Sequence, residues 1–389
     1  MCTLSIIIPL FKGSRYINTI THMIDRNRDV LKTTNTQVNI EVIFVNDYPD
    51  EYVENNDSVY VLVNHRNNEG IHKSRIDGLE VSKGEYILFL DQDDSISDDY
   101  VASQMSVLLN NNADWVICNG IFRTSRIIYP KSEDIQNVLS SNYYFDSLTN
   151  IISPGQVVIK REAIPILWKT NILKQNYCDD AFLWMLLYNK GIRPAYNDNI
   201  AFFHNENGDN TSFDWEKNVN ALIELKDKIC QLDVLAENNK NAFIKTVDRE
   251  IGKQRTIYEL SIKYPEIENR SSEISSLLKK YNGLIIYGFG FWGRKLYELV
   301  KDYFETIYVV DKNLNCDIEG IKVLDTEQFE KIKIDTPSKF LVCITASSET
   351  DIIREYLLNL GFSNIYEIDC LFDEIINSHF DDRKIIIQK

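Results

Sequence analysis

Short, dense apolar runs alternate along the first half of the chain with stretches in which apolar residues recur at every third or fourth position. The runs at 4–9, 38–45, 59–63 and 86–90 predict strands, and 73–83 predicts a helix leading into the last of them. Strands and helices in turn predict a doubly wound α/β sheet over about 1–215. From 216 to 281 the pattern changes. Leu222, Leu225, Ile229, Leu232 and Leu235 are spaced by three and four, and Phe243, Val247, Ile251, Ile257 and Leu260 extend the series. This predicts two or three amphipathic helices forming a connector. A second strand–helix alternation occupies 282–389, with strands predicted near 283–287, 306–310 and 340–345 and a helical run over 294–300.

The strand predicted at 86–90 is Tyr-Ile-Leu-Phe-Leu, and it runs straight into Asp91, Gln92, Asp93 and Asp94. A run this apolar suits a strand buried on both faces. Three acids at its carboxyl end are costly unless a cation shares the place. Open α/β sheets bind ligands at that end. Hard oxygen ligands suit Mg²⁺ or Mn²⁺, which commonly bridge protein carboxylates to substrate phosphates. The simpler alternative is a turn and an N-cap for the segment that follows.

Composition narrows the classes. The chain has 389 residues and 44% hydrophobic content, enough for two ordinary cores. A net charge of -16 argues against a general nucleic-acid binder. Seven cysteines without CxxC spacing indicate neither a disulfide framework nor a zinc site, and fit a reducing, cytoplasmic setting. No apolar stretch approaches the length of a spanning helix. A peripheral place at the inner face of the membrane is compatible with this. The tail 383–389 reads as a terminal strand or a frayed end.

Residues 64–94 carry, in order, an Asn-Glu-Gly turn at 68–70, a helix containing Arg75, Lys83-Gly-Glu-Tyr-Ile87, and Asp91-Gln-Asp-Asp94. With Ser5-Ile-Ile-Ile-Pro9-Leu-Phe-Lys-Gly13 and Val45-Asn46-Asp47, this resembles the family 2 glycosyltransferases, inverting enzymes of the GT-A fold, over about residues 3–215. The resemblance implies a fold and a set of roles. Pro9 and Phe11 line a nucleobase pocket, and Asp47 accepts a hydrogen bond from the base. Arg75 approaches the diphosphate or base, and Asp91 lies near the ribose. Asp93, Asp94 and His204 hold Mn²⁺ or Mg²⁺. In Cys178-Asp179-Asp180, Asp180 is the catalytic base and Asp179 its orienting neighbour. Gln156 and Trp184 contact the acceptor. The implied partners are a nucleotide-sugar donor, UDP-sugar first, and a saccharide or lipid-linked saccharide acceptor, with a homo-oligomer compatible. The implied role is surface polysaccharide synthesis, such as capsule or O-antigen. The chain departs from the family pattern in three places. Lys12 stands where the family usually has Asn, Tyr48-Pro49 replaces Gly-Ser, and Asn207 occupies the place of a His before Gly208.

The last segment contains Gly288-x-Gly290-x-x-Gly293 after a strand and Asp311 at the end of the next. That order fits a nucleotide-binding fingerprint. Tyr287 to Gly293, Val310-Asp311 and Cys343-Ile344-Thr345 resemble the Rossmann-like domains attached to bacterial polysaccharide enzymes. The expected division is therefore 1–215, 216–281 and 282–389. Two other readings stay open. One is an NAD-dependent oxidoreductase or epimerase of sugar nucleotides working through this last segment. The other is a sugar-nucleotide-binding scaffold without catalysis.

Overall fold

The computed structural model describes the chain except for residues 1, 35, 55–58, 123–125, 141–144, 146–147, 149–150, 206–213, 266, 268–277, 313–315, 319, 347–348 and 374–389. Asn207 and the tail 383–389 thus lie outside the described residues. The chain divides into two compact units, Met1–Gly252 and Lys253–Lys389. The helical segment does not stand apart as a third body. Phe243, Val247 and Ile251 of the helix Glu237–Lys263 join the core of the first unit, and Leu260 joins that of the second.

The first unit is built on a nine-stranded mixed sheet. Its strands are β1 (Cys2–Leu10), β2 (Val38–Asn46), β3 (Val61–Asn64), β4 (Tyr86–Phe89), β5 (Ser95–Ile96), β6 (Trp115–Phe122), β7 (Arg126–Ile127), β8 (Val157–Lys160) and β9 (Ala195–His204). They lie in the order β3-β2-β1-β4-β8-β6-β9-β5, with β7 paired to β6. β1 pairs in parallel with β2 on one side and β4 on the other, while β8 runs antiparallel to both β4 and β6. The mixed pairing at β8 departs from a purely parallel doubly wound sheet. β4 is buried along its whole length, as its unbroken apolar run requires. Because β1 has neighbours reached by connections in opposite directions, a topological switch point falls between β1 and β4, where open sheets leave a crevice.

The short strand β5 follows directly on the acids and pairs with the end of β9, Ser95 opposite Phe203. That pairing brings His204 beside Asp94.

The second unit holds a six-stranded sheet. Its strands are β10 (Gly283–Tyr287), β11 (Ile307–Val310), β12 (Cys316–Ile318), β13 (Ile321–Leu324), β14 (Phe340–Ile344) and β15 (Asn364–Glu367). Their order is β12-β13-β11-β10-β14-β15, and only the β12–β13 pair is antiparallel. The helices Phe291–Val300 and Thr350–Asn359 link β10 to β11 and β14 to β15, as parallel pairs require.

Candidate active site at the β1–β4 switch point

The helix Ile71–Val81 follows Gly70, whose φ of 88° suits glycine. Asp47, at the end of β2, fastens this entry. Its Oδ1 accepts from the Glu69 N–H at 2.7 Å and its Oδ2 from the Gly70 N–H at 2.8 Å, with His65 Nδ1 2.8 Å from Oδ1. Asp47 is buried. The carboxylate expected to accept from a nucleobase accepts here from its own chain. The hydrogen bond that the His65 imidazolium donates to Asp47 raises its pKa, outweighing the opposing effect of burial. Asp77 lies on the other side of the ring, 3.0 Å from Nε2.

Arg75 projects from the buried face of this helix and is 3% exposed. Its Nη2 donates to Asp91 Oδ1 and its Nη1 to Asp179 Oδ2, both at 2.5 Å. Burial opposes the charge, but Asp179, Asp91 and Asp180 more than compensate and raise its pKa. Arg75 was expected to approach the diphosphate or base. Instead it is a buried bridge between two carboxylates, because the chain folds an acid against each end of its fork.

Asp179 and Asp180 open the helix Asp179–Asn189. Trp168 Nε1 donates to the Asp179 carbonyl at 2.8 Å. The Trp168 carbonyl in turn lies 3.1 Å from His72 Nε2, and Leu173 N–H donates to His72 Nδ1 at 2.9 Å. His72 therefore carries its proton on Nε2 and stays neutral, its pKa lowered chiefly by burial. Two positions of one helix, His72 and Arg75, thus fix where the acid pair begins. Asp180 is half-buried. Desolvation and the charge of Asp179 lift its pKa to about 7 against the pull of Arg75. Sequence reasoning missed His65, His72 and Trp168. The signal available for His72 was its spacing of three from Arg75, which places both on one helical face.

The strand-end acids divide by role. Asp94 is buried, accepting from Ser153 Oγ at 2.8 Å and lying 2.9 Å from His204 Nδ1. It was expected among the metal ligands. Here both its oxygens are engaged, one by Ser153 and one by the His204 ring. A histidine fixed by a carboxylate at one ring nitrogen is the usual arrangement behind a metal-ligating imidazole. Burial opposes charge on His204, but Asp94 outweighs it and raises the pKa. Asp93 has no salt bridge among the described residues. Desolvation and its neighbours Asp91 and Asp94 lift its pKa to about 7. An under-compensated carboxylate of this kind fits a hard divalent cation, which takes one or two protein carboxylates and completes its shell with water and phosphate. Among the described residues no ready cage of three or more His, Cys, Asp or Glu is present.

The remaining expectations separate. Phe11 is exposed beside the carboxylates, but Pro9 is buried inside β1. Gln156 is fully buried, accepting from the Ile152 N–H at 2.8 Å and donating to the Cys118 carbonyl at 3.1 Å. Trp184 is buried and stacked on Trp115 with ring centroids 5.5 Å apart. Neither can touch an acceptor, since both serve the core.

In the second unit the three glycines behave differently from one another. Gly288 has φ 99°, and a Cβ there would lie 2.8 Å from the Ala346 nitrogen. A Cβ on Gly293 would sit 2.1 Å from the Gly288 carbonyl oxygen, whereas one on Gly290 would meet nothing within 4 Å. Asp311 accepts from the Phe289 N–H at 2.7 Å and so braces the loop.

Comparison with known proteins finds a family match over part of the chain. Residues 5–163 match the family model described as Glycosyl transferase family 2. That match contains Asp91 to Asp94 and ends before Asp179. EpsH of Bacillus subtilis (strain 168), named as a glycosyltransferase, is 34% identical over 123 residues, 30% of this chain. The chain spans only 33% of the length of EpsH. An uncharacterized glycosyltransferase of Haemophilus influenzae is 29% identical over 191 residues, 46% of this chain and 70% of that protein. Among solved structures, S. aureus TarS 1-349 in complex with UDP-GlcNAc overlaps with a TM-score of 0.47 at 17% identity, over 72% of this chain and 81% of that one. No helix among the described residues is long and apolar enough to cross a membrane.

Proposed function

We propose, from the premise that residues 5–163 are a family 2 glycosyltransferase domain, that the chain moves a sugar from a nucleotide-diphosphate donor to a saccharide acceptor with inversion. UDP-sugar is the first donor to test. The observation that carries the reading is the Arg75 bridge. One guanidinium touches Asp91 and Asp179, so the strand-end acids and the acid pair share one site although they lie far apart in sequence.

The chemistry needs little else. The acceptor hydroxyl attacks the anomeric carbon, the bond from that carbon to the diphosphate oxygen breaks, and the hydroxyl proton passes to Asp180. A carboxylate with a pKa of about 7 is matched to proton transfer near neutral pH. Asp179 cannot take that part, since its carboxylate is held by Arg75. Asp93 is the residue to hold Mg²⁺ or Mn²⁺, with His204 beside it. When bound, the ion supplies charge neutralisation of the leaving diphosphate. The product we favour is a surface polysaccharide such as capsule or O-antigen.

Calorimetry of UDP against the full chain in Mn²⁺ tests the donor side. Asp93→Ala should abolish metal-dependent binding. Equal affinity for UDP in variant and wild type would remove Asp93 from the site.

A further inference from the structure

Asp179 and Asp180 are reached through a loop, residues 171–178, that follows the short helix Ile166–Thr170. Within it Tyr177 holds φ 114°. A bulky side chain stays in that region only where its surroundings over-determine the backbone. Strain of this kind, two residues before an acid pair, calls for an account of what imposes it.

Two helices grip the loop ahead of Tyr177. The helix Ile71–Val81 takes it at two points. Leu173 N–H donates to His72 Nδ1 at 2.9 Å, and Asn176 Oδ1 accepts from the Ile71 N–H at 2.9 Å. On the other side stands the helix Trp215–Leu232, in the stretch whose periodicity predicts a connector. Its apolar stripe of Leu222, Leu225 and Ile229 is buried in the core of the first unit, and Glu224 flanks that stripe. The Glu224 carboxylate accepts from Lys174 N–H at 2.8 and 3.1 Å and from Gln175 N–H at 2.8 Å. Two successive backbone donors on one carboxylate make a charge-assisted hold. Beyond Tyr177, Arg75 and Trp168 fix the carboxylate and the carbonyl of Asp179. Tyr177 thus lies between two anchored points, and its backbone relaxes only if one of them lets go.

We propose that Glu224 is a positioning residue for the transfer reaction: by gripping the backbone of Lys174 and Gln175 it keeps Tyr177 strained and so sets where Asp180 meets the acceptor hydroxyl. This rests on the assignment of Asp180 as base given above. Glu224 lies beyond residues 5–163 of the family match, so the helix after β9 serves the site as well as joining the two units. The strand-end acids Asp91 and Asp93 sit on another segment. Loss of the grip should therefore slow the chemistry and spare donor binding.

The experiment combines hydrogen–deuterium exchange of the full chain with UDP release from UDP-glucose and UDP-N-acetylglucosamine in Mn²⁺, water standing in for the acceptor. Glu224→Ala should speed exchange over 173–180 and leave 86–94 protected. Its kcat should fall about 10–100-fold, the cost of a small misplacement, with UDP affinity by calorimetry unchanged. Glu224→Gln keeps one accepting oxygen and should fall between alanine and wild type. The base works deprotonated, and burial beside Asp179 holds the Asp180 pKa at about 7. A loosened loop admits water and lowers that value, so the acid limb of kcat should move to lower pH. On a Tyr177→Gly background Glu224→Ala should cost less, because glycine adopts a positive φ unforced. Unchanged exchange over 173–180 overturns the grip. Faster exchange with wild-type kcat, or a lower kcat with an unmoved acid limb, overturns the positioning role. Equal losses on the Tyr177 and Gly backgrounds overturn it too, since strain is then not what the grip maintains. Should Glu224→Ala fail to fold, Glu224→Gln carries the same measurements. If wild type releases no UDP, the donor reading fails, and exchange alone decides the grip.

Discussion

Each unit of the chain has a sheet in which the first strand lies between two parallel neighbours, and each closes the resulting crevice with one polar side chain. In the first unit the closure is Gln92, whose long amide arm reaches the backbone of Phe11. In the second it is Thr345, whose short hydroxyl donates to the carbonyls of Tyr287 and Gly288. The reach of the side chain sets what remains around it. Beside Gln92, acids are left crowded, and Asp93 and, further along the site, Asp180 are pushed up to about 7. Beside Thr345 the loops touch backbone to backbone, and Asp311 is spent on the Phe289 N–H. Proteins tolerate poorly compensated charge mainly where function uses it. The contrast favours the first crevice for the proposed chemistry, while the second is a braced loop in which a Cβ on Gly290 would meet nothing within 4 Å.

The largest effect that would break this contrast comes from the acid pair. Asp180→Asn should lower transfer at least about 100-fold while leaving UDP affinity and the melting temperature near wild type. Asp179→Asn should behave in the opposite sense. It removes one partner of a buried guanidinium, and unfolding should become easier by about 2–4 kcal/mol. Chemical denaturation and a transfer assay on the same two variants would read both. Wild-type turnover in Asp180→Asn would end the base assignment.

A smaller effect sharpens the reading of the second crevice. Gly293→Ala should destabilise that unit by about 1–3 kcal/mol, since the new methyl collides with the Gly288 carbonyl. Gly290→Ala should be close to neutral, because the space above it is open. Equal melting of the two variants would show that the close helix approach is not what the third glycine supports.

The smallest effect concerns Asp93 without metal. Its folded pKa of about 7 lies above the usual value near 3.8, so the folded state holds the proton more tightly than the unfolded state. That group's contribution to stability therefore falls as pH rises from about 4 to about 7, and the penalty is complete above 7. In chelator at pH 7.5, Asp93→Asn should melt higher than wild type, by up to about 1 kcal/mol after solvent screening. At pH 4 the two should coincide. A lower melting point for the variant at pH 7.5 would show that Asp93 is compensated after all.

Much of this was legible in the sequence because burial and periodicity speak along the chain. The runs expected at 38–45 and 86–90 became β2 and β4, and the helix expected over 73–83 lies at Ile71–Val81. The site was legible only as a set of residue types. Asp91, Asp93 and Asp180, to which we assign the chemistry, could be named from their residue types, but their partners were hidden. Arg75 looked like a ligand group because nothing local reveals that Asp91 and Asp179 close on it. Asp47 looked available because a backbone N–H carries no letter in the sequence. Gln156 and Trp184 sit next to motif residues, yet β8 and the helix Asp179–Asn189 turn them into the core. In each case the error came from a long-range contact, which spacing cannot encode.

The Arg75–Asp179 contact joins residues 104 positions apart. It also crosses the end of the family match at residue 163. A fragment cut at that boundary would keep the helix that presents Arg75 and lose Asp179 and Asp180, two of the three acids that offset its charge. The boundary suggested by similarity is thus a poor place to divide the gene for expression. A fragment made to test the proposed activity should extend past the helix Asp179–Asn189 and β9, which ends at His204.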